Sequence, residues 1–145
     1  MKRLGWIAGV IGMLIALEAF AQTAGREEPA LSAAEQAVVA RQIATLRSAT
    51  DRQMAEGWSN SKKVAELICR PAALLVLKKQ VKGVDKVFLG TDAPETLTLE
   101  SDQRLTGSGQ FRTPTGWHDF TFTCEVNPET GKVTGFEPIP IPARP

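Results

Sequence analysis

The side chains here that could carry chemistry are one histidine, two cysteines and a charged and aromatic cluster around one short turn. His118 is the sole imidazole. As a general base it needs a nucleophile or substrate within hydrogen-bond reach. The sequence contains no nucleophile elbow, no zinc-binding histidine pair and no phosphate loop. Asp119 is its neighbour, and neighbours on a strand point to opposite faces. Gly107-Ser108-Gly109 has the look of a phosphate-loop fragment but opens no helix, so a bulge or close packing under Trp117 is expected there. Arg112, Trp117 and Asp119 flank the turn Thr113-Pro114-Thr115-Gly116. Arg112 and Trp117 are expected to share one face and stack as a cation–π pair. Such a pair is either a clip over a sheet or, with His118 and Asp119, a rim that recognises a carboxylate, a sugar or a partner peptide. Lys78, Lys79, Lys82 and Lys86 form a basic run and read as a solvated face.

Cys69 and Cys124 are the two cysteines. In an exported chain the leading reading is a disulfide joining a helix to the best strand. With one histidine and two distant cysteines no ligand set has metal spacing, and no C-x-x-C redox motif is present. The expectation is no catalytic residue, no metal and no cofactor.

Export is read from the first residues. Lys2 and Arg3 precede an uncharged, mostly apolar run from Leu4 to Leu17, and Ala19-Phe20-Ala21 fits a small-residue cleavage site. This is the pattern of a secretory signal peptide, residues 1–21, with cleavage after Ala21. The run is shorter than the roughly 20 residues a spanning helix needs, so no membrane span is expected after cleavage. Removing 21 of the 145 residues leaves 124, and losing Lys2, Arg3 and Glu18 takes the net charge from +1 to zero. A neutral chain lacks the basic footprint of a nucleic-acid binder.

The elements that must position these residues fall into two halves. Residues 22–30 read as a mobile leader. Ser32 and Glu35 have capping-box spacing, and an Ala-rich helix without Gly or Pro is expected over residues 31–57. A second helix follows Trp58-Ser59-Asn60-Ser61. Pro71 breaks or restarts it, and residues 71–80 are read as helix, although periodicity alone also admits a buried strand. After Gly83 the pattern turns to strands: Val84 to Leu89, Thr96 to Glu100, Arg104 to Thr113 and Trp117 to Val126. In the last of these His118, Phe120, Phe122, Cys124 and Val126 alternate with Trp117, Asp119, Thr121, Thr123 and Glu125. Asn127-Pro128-Glu129-Thr130-Gly131 turns the chain back into Lys132 to Glu137, and residues 139–145 belong to a Pro-rich tail that cannot pair as a central strand. Helices followed by strands predict an α+β domain over residues 58–138, with N-terminal helices packed on a small antiparallel meander.

Cys69, Asp85-Lys86-Val87, the G-x-G-x-F-R-T run from Gly107 to Thr113, Trp117-x-x-Phe120-x-Phe122-x-Cys124 and Lys132-Val133-x-x-Phe136 occur in that order. The arrangement resembles DUF930, a bacterial domain family of unknown function, over about residues 69–140. It departs from that pattern at His118, where an aromatic is expected, and in a tail that ends early. The resemblance implies an exported α+β domain with paired cysteines and brings no activity with it.

The functional expectation is a non-enzymatic periplasmic module that binds an envelope protein or a small ligand. Two alternatives stand beside it: a small periplasmic hydrolase or transferase using His118 with Asp119 or Glu100, and a structural or stress-related envelope protein whose long Ala-rich helix makes an oligomer.

Overall fold

The computed structural model describes residues 27–91 and 93–142. The signal segment 1–21, its cleavage site, leader residues 22–26 and the last three tail residues lie outside the described residues.

Ser32 caps helix α1 (Ala33–Ala44) through a complete capping box. Its hydroxyl accepts from the Glu35 amide at 3.1 Å, and the Glu35 carboxylate accepts from the Ser32 amide at 2.8 Å. The single helix expected over residues 31–57 is instead two. α1 ends at Thr45, and α2 (Ala49–Glu56) starts afresh on Ser48, whose hydroxyl accepts from the Asp51 amide at 2.9 Å. Hydroxyl groups make the break: Thr45 Oγ1 donates to the Gln42 carbonyl at 2.6 Å, and both side chains offer the backbone an alternative to continuing the helix. The break lets Leu46 pack against the core.

A longer helical run starts at the Ser59 cap. It comprises α3 (Asn60–Lys63), a π-helical stretch (Val64–Cys69) and α4 (Arg70–Gln80). Pro71 does not break it. The N–H that proline lacks falls at the seam where bonding leaves the wider π pattern, marked by the Arg70 amide donating to the Ala65 carbonyl. Residues 71–80 are therefore helical.

One antiparallel sheet follows: β1 (Lys86–Leu89), β2 (Leu97–Leu99), β3 (Arg104–Thr113), β4 (Gly116–Asn127) and β5 (Lys132–Pro140). β3, β4 and β5 form a meander, while β1 and β2 lie one after the other along the free edge of β3. The inner face carries Leu105, Phe111, Phe120, Phe122, Cys124 and Val126, all buried, and the helices lay Val64, Ala65, Ile68, Ala73 and Leu77 into the same core. The Cys69–Cys124 disulfide ties the π-helical stretch to β4 across a sequence separation of 55. The fold is α+β, with helices on one face of an antiparallel sheet.

Three sequence expectations need correction. β3 carries no bulge at its glycines, since all ten of its residues pair in unbroken register with β4; the irregularity lies between β4 and β5 at Glu125/Val126. Gly109 is small because its neighbours come close. A Cβ there would sit 2.5 Å from the Phe88 carbonyl oxygen and 2.9 Å from the Phe120 ring, so Phe88 and Phe120, not Trp117, require the glycine. The leader is anchored over its last residues. The Glu28 carboxylate accepts from the Asn60 amide at 2.7 Å, the Ser61 amide at 3.3 Å and the Ser61 hydroxyl, at the N-terminus of α3 where backbone donors lack helical partners. The tail joins the sheet further than expected. Pro138, Ile139 and Pro140 stand opposite Phe122, Thr121 and Phe120, and the Ile141 amide donates to the Asp119 carbonyl at 3.0 Å. By strand alternation the Ile139 and Ile141 amides face β4, while Pro138 and Pro140 occupy the positions whose amides would point away from it.

Candidate functional site

The outer face of the sheet bears the residues most suited to contact. β1 has a buried Val87 and Leu89 alternating with an exposed Lys86 and Phe88. Pairing sets Lys86 opposite Arg112 and Arg112 opposite Trp117, and sets Phe88 opposite Gln110 and Gln110 opposite Asp119. The Phe88 and Trp117 rings meet above β3 with centroids 5.5 Å apart and planes 23° from parallel. Each ring has a cation beside it: Lys86 Nζ lies 5.3 Å from the Phe88 centroid, and the Arg112 guanidinium carbon 5.7 Å from the Trp117 centroid. Arg112 and Trp117 do share the outer face, as the strand alternation requires.

Electrostatics fixes the stack from one side. Arg112 donates through Nε and Nη2 to the two oxygens of Asp85 at 2.9 and 2.8 Å. The hydrogen bonds and charge of Arg112 hold the Asp85 carboxyl below the usual aspartate range, and Asp85 raises Arg112 in turn. Gln110 Nε2 donates to Asp119 at 2.7 Å, filling the middle of the face. Beyond them Ile139 and Ile141, 61% and 50% exposed, stand opposite Thr121 and Asp119. Phe88 at 38% and Trp117 at 45% are half open to solvent. Four large apolar side chains thus share one sheet face that no other element covers among the described residues.

The four residues singled out by sequence separate here. Arg112, Trp117 and Asp119 stand on the outer face; His118 faces the helix side. The imidazole stacks on Phe111 at 5.1 Å, and its Nε2 lies 2.8 Å from Thr113 Oγ1 and 3.3 Å from Thr115 Oγ1. It lines an apolar cleft of about 420 Å³ with Val81, Lys82 and Pro114. Neither proposed carboxylate serves it. Asp119 is turned to Gln110 on the opposite face. Glu100 adjoins Arg104 at the other end of β3, about seven strand residues or roughly 23 Å from Phe111, the partner of His118. Among the described residues no group of three or more His, Cys, Asp or Glu side chains could hold a metal ion, and no helix is long and apolar enough to cross a membrane.

Phe88, Asp85 and Gln110 are the residues that sequence reasoning missed. The alternation of Lys86-Val87-Phe88-Leu89 already puts Lys86 and Phe88 on one face, but nothing local aligns them with Arg112 and Trp117. That alignment comes from the β1–β3 register.

Comparison adds no relative. No family model matches the chain, and no curated protein and no solved structure is significantly similar to it.

Proposed function

We propose that this chain is an exported, disulfide-stapled, non-enzymatic binding module of the bacterial cell envelope that engages a protein partner through the outer face of its sheet. The observation that carries the reading is the stacked Phe88–Trp117 ring pair, with Lys86 and Arg112 beside it, on a face where both rings are half exposed among the described residues. Monomeric folds hide most large rings. A Trp and an Arg held rigidly in place are the side chains that most often dominate protein interfaces. The charges around the rings balance, Lys86 and Arg112 against Asp85 and Asp119, so affinity would come from burying apolar surface. The disulfide suits an oxidising compartment, and the N-terminal pattern of residues 1–21 supports the periplasm. Asp85, Lys86, Arg112 and Trp117 all belong to the motifs that resemble DUF930, and membership of that family is part of the same proposal.

The hydrolase or transferase reading has less support. Thr113 and His118 are paired as a nucleophile and base would be, but no carboxylate orients the ring among the described residues. The oligomer reading loses its motive, because the long Ala-rich helix is two short ones.

A photo-crosslinking residue replacing Ile139 on the outer face tests the proposal in cells, with the same replacement at the exposed Leu75 of α4 as control. A discrete envelope adduct from position 139 that Trp117→Ala abolishes is expected. No adduct, or the same adduct from both positions, overturns it.

A further inference from the structure

The unexpected helix break creates a second feature on the other side of the molecule. Where the chain turns between α1 and α2, the two helices and the start of α3 enclose a groove of about 520 Å³. That is within the range of small-molecule sites, roughly 300–1,000 Å³. Its floor is Leu31, Val39 and Ile43, all at most 8% exposed. Its rim carries Arg52, Glu56 and Lys63.

Shape, lining and charge together select a ligand. The α1 wall runs from Gln36 to Ala44 along one helical stripe, about 12 Å at 1.5 Å per residue. A trough of that length fits an extended chain. No aromatic side chain lines it, so nothing is offered to a ring. Two cations and one carboxylate stand on the rim. Arg52 is held in place by donating Nη1 to the Leu46 carbonyl at 2.6 Å, leaving most of its five donors for other partners. Lys63 is half-buried at the groove and makes no ion pair among the described residues. A half-buried ammonium beside an apolar floor is favoured by a carboxylate that brings its own apolar tail.

We propose that this groove binds a free aliphatic carboxylate of medium length, its chain along Val39 and Ile43 and its head at Lys63 and Arg52. The site is separate from the sheet face, and either proposal can fail without the other.

Calorimetric titration of the exported protein with decanoate tests it, with decanol as the neutral probe and anionic phosphatidylglycerol vesicles as the lipid-surface probe. Amide chemical shifts locate the binding. Saturable decanoate binding is expected, with shifts centred on residues 36–44 and 52–63. Decanol should bind at least tenfold more weakly. Lys63→Gln should weaken decanoate at least tenfold and leave decanol unchanged, and Lys63→Arg should retain it. Ala40→Phe, a change at an exposed groove position, should block both ligands. Unaltered unfolding curves for each variant confirm that the fold is kept. Equal binding of decanol, no effect of Lys63→Gln, shifts confined to another surface, or binding to vesicles but not to monomeric decanoate would each overturn the proposal.

Discussion

Asp85 and Arg112, 27 residues apart in the chain, meet in a two-pronged ion pair at 2.9 and 2.8 Å that leaves the guanidinium 5.7 Å from the Trp117 ring. The pair holds the guanidinium beside the Trp117 ring. A lysine at position 112 would keep the charge and lose the planar fork.

This pair predicts an acid sensitivity. The folded-state pKa of Asp85 is lowered, so its contribution is present above the ordinary aspartate value of about 3.9 and is lost as pH falls through the lower folded value. The partner shift on Arg112 is upward and matters only in strong base. Carboxyl carbon titration by NMR should give Asp85 a midpoint below the ordinary aspartate range, and Arg112→Gln should return it to that range. An unchanged midpoint in the variant would show that the pair does not act in solution.

Trp117→Ala removes half of the stacked ring pair. Because the ring is half exposed, the stability cost should be modest, about 0.5–1.5 kcal/mol for the aromatic contact. Urea unfolding measures it. A loss of several kcal/mol would mark Trp117 as a structural clip rather than a binding side chain.

The disulfide should contribute far more. Cys69 and Cys124 are fully buried and join segments 55 residues apart. Replacing both with Ala is expected to cost about 2–5 kcal/mol. Glutathione should fail to reduce the native protein and succeed only in denaturant. Mass measurement after alkylation reads both states.

Gly109→Ala tests the seat of Phe88. The added methyl would meet the Phe88 carbonyl and the Phe120 ring, and backbone cannot move aside as a flexible side chain can. A cost of about 1–3 kcal/mol is expected from overpacking. Tryptophan fluorescence should also change as β1 shifts and the Phe88–Trp117 contact loosens. An unchanged spectrum with full stability would contradict the close approach.

Much of the architecture is legible where the controlling interactions are local. The period-2 pattern of β4 places Phe120, Phe122 and Cys124 inward because a half-buried sheet imposes that period, and the Ser32/Glu35 spacing predicts a cap that forms as expected. The break at Thr45–Ser48 is harder to read. Neither Gly nor Pro marks it, and the Ser48/Asp51 cap lies inside a run of good helix formers, where the Thr45 and Ser48 hydroxyls act together with the packing of Leu46. The site was half legible for the same reason. Arg112 and Trp117 flank one turn and could be paired by inspection. Phe88 and Asp85 reach them through a strand register that no short window contains, and Pro138–Pro140 look like a loose tail until β4 gives Ile139 and Ile141 a partner.

The alternating prolines of β5 limit how the protein can assemble. Along its last residues the successive outward positions lack a donor, so an incoming strand finds no N–H at Pro138 or Pro140. That margin of the sheet is closed to growth by strand addition, whether by another copy or by an unfolded neighbour. Strand addition is left to the opposite margin, where β1 and β2 edge the sheet, and face-to-face association to the side that carries Phe88 and Trp117. The sequence Pro-Ile-Pro-Ile-Pro is thus a chain terminator at the level of quaternary structure: it stops ribbons at that margin and leaves stacking open.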